Sequence, residues 1–198
     1  MPFTKSAVEL FISRKIAAIT ACNAGDVKSK EPESAHWLSN FGLAVIFNDF
    51  PPDAMRPFVI NFIRRVYVAF IEYDLGRDAL LELVKDGNGR WSPYYVALTH
   101  FELAISQLYV ALDSIRKLSG HDFFKTGDGS FEECLNQIYN AGKHELATNE
   151  VPLWLTNDGL ESNHAKLTFE VIEDFMSKMA GVVKGMCNQE IAIKAVTK

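Results

Sequence analysis

The sequence has few cysteines, no long uninterrupted apolar run and no excess of basic residues, and each shortage excludes a class of protein. The three cysteines stand far apart without a C-x-x-C pair, which is typical of reduced thiols and not of a disulfide framework. Apolar runs such as Phe41 to Phe47 are much shorter than a bilayer span, and Lys5 and Glu9 interrupt the region where a signal peptide has its apolar segment. We therefore expect a cytoplasmic protein without membrane contact.

The charge balance excludes a generally basic nucleic-acid coat. Among 198 residues, 20 are Lys or Arg and 25 are Asp or Glu, which gives a net charge of −5. Such a chain can bind a polyanion only through a local basic site. Hydrophobic residues make up 48% and charged residues 23%, as in an ordinary globular protein of one domain. Phosphate-loop, dinucleotide, zincin and hydrolase-elbow motifs are all missing from the sequence, so we expect no cofactor.

The first half of the chain shows helical hydrophobic spacing. A capping box at Ser6 opens a helix that we expect to end near Asn23, followed by a polar loop. The apolar residues 35–47 predict a shorter buried helix. A long helical pattern covers residues 57–84, which Gly76 could bend or divide in two.

The second half contains stronger start and stop signals. Ser92 followed by Pro93 predicts the start of a helix that is apolar on more than half its circumference and that we expect to be the central, most buried one, and Gly120 ends it. Ser130 and Glu133 form a second capping box and open a helix that reaches His144.

After that helix the periodicity changes. Residues 152–156 and 160–167 flank an Asn-Asp-Gly turn and predict a β-hairpin, after which Thr168 caps the last helix. The chain therefore predicts an all-α fold, a bundle of about five helices with one small β-hairpin before the last helix.

The segment from Ile138 to His144 carries the residues of greatest chemical interest. Asn140 and His144 lie four residues apart and project from one helical face, with Lys143 beside the imidazole. A nearby ammonium favours the neutral imidazole, which can accept a proton, and an amide can orient the ring. Alternatively, His144 is a polar residue at a helix C-terminus, where the dipole favours a cation.

This segment resembles the HEPN superfamily of helical bundles, in which an Arg and a following polar residue precede a His by four to six residues. The resemblance is strongest over residues 92–187, and it implies a single HEPN-like domain for the whole chain, 1–198. In the carried-over pattern His144 takes the place of the motif His and Asn140 that of the polar residue. The motif Arg would fall at Tyr139, so this chain departs from the pattern at that position.

The resemblance implies one of several activities. Many HEPN proteins are metal-independent ribonucleases, often homodimeric toxins or antiviral effectors, and others bind RNA or proteins without catalysis. The resemblance therefore implies a homodimer that contacts RNA or a nucleotide around Tyr139, Asn140, Lys143 and His144. Because the motif Arg is missing, we expect this contact to occur without turnover. Any catalysis would use His144 with Asn140.

Two alternatives remain open. One is a ribonuclease with His144 as base, in which Lys143 or Arg116 replaces the missing guanidinium. The other is a protein-interaction module without nucleic-acid contact, in which the hairpin around Trp154 and the last helix bind a partner such as a cognate antitoxin.

The densest basic group is Arg64–Arg65 in the second long helix. It is either a strip that faces phosphates or a solvated helix face neutralised by nearby acidic residues. We include both arginines among the candidate nucleic-acid-binding residues.

Two Glu-x-x-His spacings, at Glu33–His36 and Glu161–His164, match half of a di-iron pattern. Each stands at the edge of an element and not inside a helix, so we expect no metal site.

Overall fold

The computed structural model describes residues 13–48, 51–85, 91–143 and 153–188. The predicted helix start at Ser6 and the candidate His144 lie outside these residues. The described residues form seven α-helices, one 3-10 helix and a three-stranded antiparallel sheet. The helices are α1 (Ser13–Ala17), α2 (Val27–Lys30), a 3-10 helix (Pro32–His36), α3 (Trp37–Asn48), α4 (Arg56–Lys85), α5 (Trp91–Ser119), α6 (Phe131–Lys143) and α7 (Phe169–Asn188). The predicted class is confirmed: the fold is a mainly helical bundle with a small sheet before the last helix.

The two longest helices, α4 and α5, run antiparallel and form the centre of the bundle. Residue numbers rise along α4 as they fall along α5 in the contacts between them, from Asn61–Ser114 to Tyr73–Phe101. Helix α4 is continuous through Gly76, so the helix is not divided in two. A Cβ at Gly76 would approach the Phe101 ring within 3.1 Å, so the glycine allows the two helices to pack closely.

Helix α5 is the apolar helix that the sequence predicts to be most buried. Its segment Ser92–Ser119 is long and apolar enough to cross a membrane by length and composition, and 39% of its most apolar window is buried. No other described helix meets these two criteria. The core helix of a bundle has the same composition, and α5 packs along α4 on one side and against α6 on another.

The sheet before the last helix has three strands where the sequence predicts two. Strands β1 (Trp154–Leu155), β2 (Gly159–Glu161) and β3 (Lys166–Thr168) pair in that order. The predicted second strand is interrupted because the Ser162 hydroxyl accepts hydrogen bonds from the amides of His164 and Ala165 and forms a second turn. Leucines from the three strands are in register across the sheet and buried: Leu155, Leu160 and Leu167.

Local capping signals behave largely as the sequence predicts. The Glu133 amide donates to the Ser130 hydroxyl at 3.1 Å, and the Val171 amide donates to that of Thr168. The Glu133 carboxylate does not complete the capping box, because it accepts from the amides of Gly127 and Gly129 in the preceding loop. Helix α6 is therefore fixed to that loop as well as capped.

The segment between α1 and α3 differs from the prediction. Helix α1 ends at Ala17 and not near Asn23. The reason is that the backbone amides of Thr20 and Ala21 donate to the Asn157 side chain, and the backbone amide of Asn23 donates to the Asn157 backbone carbonyl. Contacts with the sheet replace the next helical turn. The predicted loop that follows contains α2, whose N-terminus is capped by the Asp26 carboxylate, and the 3-10 helix.

Candidate functional site

The C-terminal end of α6 carries the segment that the sequence singles out. Lys143 is its last described residue, and His144 lies outside the described part of the chain. The half-buried Asn140 side chain donates to Asn136 Oδ1 at 3.1 Å. The Asn140 amide group is therefore hydrogen-bonded to a residue one turn earlier in the same helix.

A cavity of about 340 Å³ opens beside this end of α6, between α4, α5 and the residue that precedes β1. Its size lies at the lower end of the range for small-molecule sites. We call it the Arg65 cavity. Its polar and aromatic lining comes from three helices and comprises Arg65, Thr99, Glu102, Ser106, Gln107 and Tyr139.

The two neighbouring arginines of α4 have different environments. Arg65 lines the cavity, and its Nη1 donates to Gln107 Oε1 of α5 at 2.8 Å. Its Nε is buried and makes no hydrogen bond within the described residues. Arg64 is exposed, does not line the cavity and donates to Asn61 Oδ1. The two arginines are adjacent in the sequence, but their side chains lie on different faces of α4, because successive helical residues are about 100° apart.

Tyr139 joins the cavity to an aromatic stack. Its ring lies parallel to that of Tyr109, with centroids 4.1 Å apart and an interplanar angle of 8°, and Tyr109 contacts Phe124 at 4.7 Å. Burial, the Asp113 charge and Tyr139 itself raise the pKa of Tyr109, so its hydroxyl stays neutral at physiological pH. Where the HEPN pattern has an Arg, this chain therefore has a stacked aromatic ring.

The cavity combines charges of opposite sign. Arg65 on α4 supplies a cation and Glu102 on α5 an anion, and the hydroxyls of Thr99 and Ser106 lie on the same side of α5. No sequence motif singles out these α5 residues. The signal that could have found them is their spacing, since positions 99, 102 and 106 place polar side chains on one face of an otherwise apolar helix.

A second polar pair lies on the same seam between α4 and α5. His100 Nδ1 is 2.7 Å from Glu72 Oε2, and both side chains are partly buried. The pair stands seven residues, or about two turns, from Arg65–Gln107 on both helices. It joins the helices and does not line the cavity.

Of the two residues proposed as replacements for the missing guanidinium, Arg116 is not brought to the cavity, and the side chain of Lys143 lies outside the described part of the chain. Arg116 donates through Nε and Nη2 to Asp113 Oδ1, at 3.0 and 2.6 Å, and it does not line the cavity. Although burial raises the pKa of Asp113, the hydrogen bonds from Lys117 and Arg116 lower it below its ordinary value. Arg116 is thus held in a charge cluster at the end of α5.

The Glu-x-x-His pairs do not line the cavity. Glu33 and His36 belong to the 3-10 helix and are exposed. Glu161 pairs with Lys166 across β2 and β3 at 2.8 Å, and His164 is exposed in the Ser162 turn. Within the described residues, no group of three or more His, Cys, Asp or Glu side chains is arranged to hold a metal ion.

Trp154 of β1 contacts the first helix. The Lys15 ammonium lies 3.9 Å from the centroid of its ring, which is a cation–π geometry. The sheet therefore contacts α1 through this residue.

The comparisons with known proteins add no family to this description. No family model matches the chain, and neither the curated proteins nor the solved structures give a significant match.

Proposed function

We propose that this protein binds a nucleotide or a single-stranded RNA segment in the Arg65 cavity, without turnover. The observation that carries the proposal is the meeting of Arg65 and Tyr139 in one cavity, although they are 74 positions apart (139 − 65) in the chain. Both residues were selected from the sequence for separate reasons. The acidic total charge restricts phosphate binding to a local site of this kind.

Arg65 has the properties of a phosphate ligand. Its guanidinium is half-buried and only partly hydrogen-bonded, because Gln107 accepts from Nη1 while Nε has no acceptor within the described residues. A phosphate in the cavity would balance the charge of this half-buried guanidinium through strong charged hydrogen bonds. The planar fork of arginine also suits two phosphate oxygens at once.

Tyr139 supplies a surface for a base. Single-stranded RNA is recognised largely by stacking of unpaired bases on aromatic rings. Its ring is fixed on one side by Tyr109, so little rotamer entropy is lost when a base contacts it. Glu102 and the hydroxyls of Thr99 and Ser106 offer hydrogen-bond partners to the sugar and the base edge.

The residues at two of the motif positions support binding without turnover. Cleavage by a 2′-hydroxyl needs a base beside that hydroxyl and a cation beside the phosphate. The HEPN Arg position holds Tyr139, and the Asn140 amide donates to Asn136. Homodimerisation, a cognate antitoxin and a role in defence remain predictions of the resemblance.

The test compares Arg65→Met with Arg64→Met, two neighbouring substitutions that remove the same charge. Binding of labelled single-stranded RNA and of adenosine monophosphate is measured by fluorescence anisotropy and calorimetry. We expect Arg65→Met to weaken binding by about tenfold or more, since a charged hydrogen bond contributes about 1.5–3 kcal/mol. Arg64→Met should change it by less than about twofold, because that side chain lies outside the cavity.

Equal losses in the two variants would indicate general attraction to surface charge and not a site. Failure of the wild-type protein to bind either probe would show that the proposal is wrong. RNA degradation by the wild type that His144→Ala abolishes would replace the proposal with the ribonuclease alternative.

A further inference from the structure

A second cavity, of about 370 Å³, lies on a different part of the bundle, between the end of α5, the start of α6 and α7. Most of its lining is apolar and includes Phe123, Phe131, Phe175 and Met179. The rings of Phe131 and Phe175 pack against each other with centroids 4.4 Å apart. We call it the Phe175 cleft, and it shares no lining residue with the Arg65 cavity.

Of the three charged residues that line the Phe175 cleft, two form an ion pair with each other and one does not. Lys178 and Asp174 form an ion pair of 2.7 Å on α7 and neutralise each other. The half-buried Glu132 makes no hydrogen bond or ion pair within the described part of the chain. One carboxylate therefore remains at the edge of an apolar cleft without a direct partner.

The formal charges of the residues that line the cleft sum to a negative value. Asp174 first, and Glu132 in addition, raise the pKa of the Lys178 ammonium, so the lysine stays charged and held by Asp174. With two carboxylates and one ammonium among the lining residues, the net charge of the lining is −1. An anionic group placed there would be repelled, and a cationic group would be attracted.

We propose that the Phe175 cleft binds a small cationic amphiphile, an apolar body that carries an ammonium head group. The body lies against Phe131, Phe175 and Met179, where burial of its apolar surface drives binding. The ammonium lies at Glu132, whose carboxylate makes no ion pair within the described residues. The volume suits a small molecule at the lower end of the usual range.

The experiment uses three probes with the same apolar chain and different head groups: octyltrimethylammonium, octanol and octanoate. Each is titrated into the full-length protein below its micelle-forming concentration, and binding is measured by calorimetry. We expect octyltrimethylammonium to bind about tenfold more tightly than octanoate, with octanol between them. Equal affinity for the three probes, tighter binding of octanoate, or no binding would overturn the proposal.

Two variants assign the effect to the cleft. Glu132→Gln should weaken binding of the ammonium probe by about fivefold and leave octanol unchanged, because only the charge is removed. The matched control is Glu170→Gln, an exposed carboxylate on α7 that does not line the cleft and should have no effect. Val171→Trp, at an exposed lining position, should fill the opening and weaken all three probes. A Glu132→Gln variant that behaves like Glu170→Gln would also overturn the proposal, and circular dichroism verifies that each variant is folded.

Discussion

Single side chains determine how the buried polar groups of this bundle are satisfied. The Tyr73 hydroxyl is buried and donates to Glu173 Oε1 at 2.7 Å, and the same carboxylate accepts from the amide of Gly25 and from Lys30. Buried carboxylates are stable only when such donors surround them. Burial first, and then the hydrogen bond and charge of Glu173, raise the pKa of Tyr73 far above its ordinary value. Burial also raises the pKa of Tyr94, to about 12.

These shifts predict a loss of stability at alkaline pH. Tyrosine in the unfolded chain ionises near pH 10, but Tyr73 stays neutral in the folded protein, so ionisation favours unfolding. The stabilisation is complete below pH 10, and above it Tyr73 should lower the free energy of unfolding by about 1.4 kcal/mol per pH unit. Tyr94 adds to the loss only up to about pH 12.

Tyr73→Phe should remove the part of this pH dependence of the free energy of unfolding that Tyr73 causes. At neutral pH the substitution should lower the free energy of unfolding by about 1.5 kcal/mol, because the Glu173 carboxylate loses one hydrogen-bond donor. Urea denaturation between pH 7 and pH 11 measures both effects. Tyr67→Phe on the same helix is the control, since the Tyr67 hydroxyl makes no hydrogen bond within the described residues. A slope in Tyr73→Phe as steep as in the wild type would contradict the assignment.

At the scale of elements, glycines have opposite roles in the sheet and in the last helix. Gly159 in β2 lies against the backbone of β3, where an added Cβ would come within 2.0 Å of the Leu167 carbonyl oxygen. Gly181 in α7 is exposed, and an added Cβ would meet nothing within 4 Å. The first glycine permits the close approach of two strands, and the second only adds flexibility to a helix.

The same substitution should therefore have opposite effects at these two positions. Gly159→Ala should lower the free energy of unfolding by about 3 kcal/mol, since backbone atoms must move apart. Gly181→Ala should raise it by about 0.5–1 kcal/mol through the better helix propensity of alanine. Urea midpoints of the two variants measure the difference, and a change of the same sign in both would contradict this account.

At the scale of the whole molecule, residues 18–30 hold the sheet, α4 and α7 in one body. Asn157 at the first turn of the sheet receives the amides of Thr20 and Ala21, Arg77 of α4 donates to the Ala24 carbonyl, and Glu173 of α7 receives the Gly25 amide. These contacts join parts of the chain more than 50 positions apart. Polar contacts of this kind open locally before the core does.

Asn157→Ala should release this segment without unfolding the bundle. Hydrogen exchange at the amides of Thr20 and Ala21, whose acceptor is removed, should become at least about tenfold faster, while exchange in the centre of α5 stays unchanged. The free energy of global unfolding should fall by only about 1–2 kcal/mol, because the freed amides are close to water. Asn40→Ala on the exposed side of α3 is the control. Unchanged exchange in Asn157→Ala would show that the remaining contacts hold the segment alone.

The sequence by itself determined the fold class, the long helices and most of their ends. The 3.6-residue periodicity, the caps at Ser130 and Thr168 and the stop at Gly120 act over a few neighbouring residues, so they can be read without knowledge of distant contacts. The sequence also selected Arg65 and Tyr139 as candidates, but as members of two unrelated groups.

Only the tertiary structure decided which of two neighbouring arginines faces a cavity, and which residues of α5 meet it there. It also decided where α1 ends, since Asn157 replaces helical hydrogen bonds from 136 positions away. These features depend on the relative rotation and distance of elements, which packing of the buried side chains fixes. Hydrophobic periodicity says which face of a helix is buried, but not which neighbour it meets.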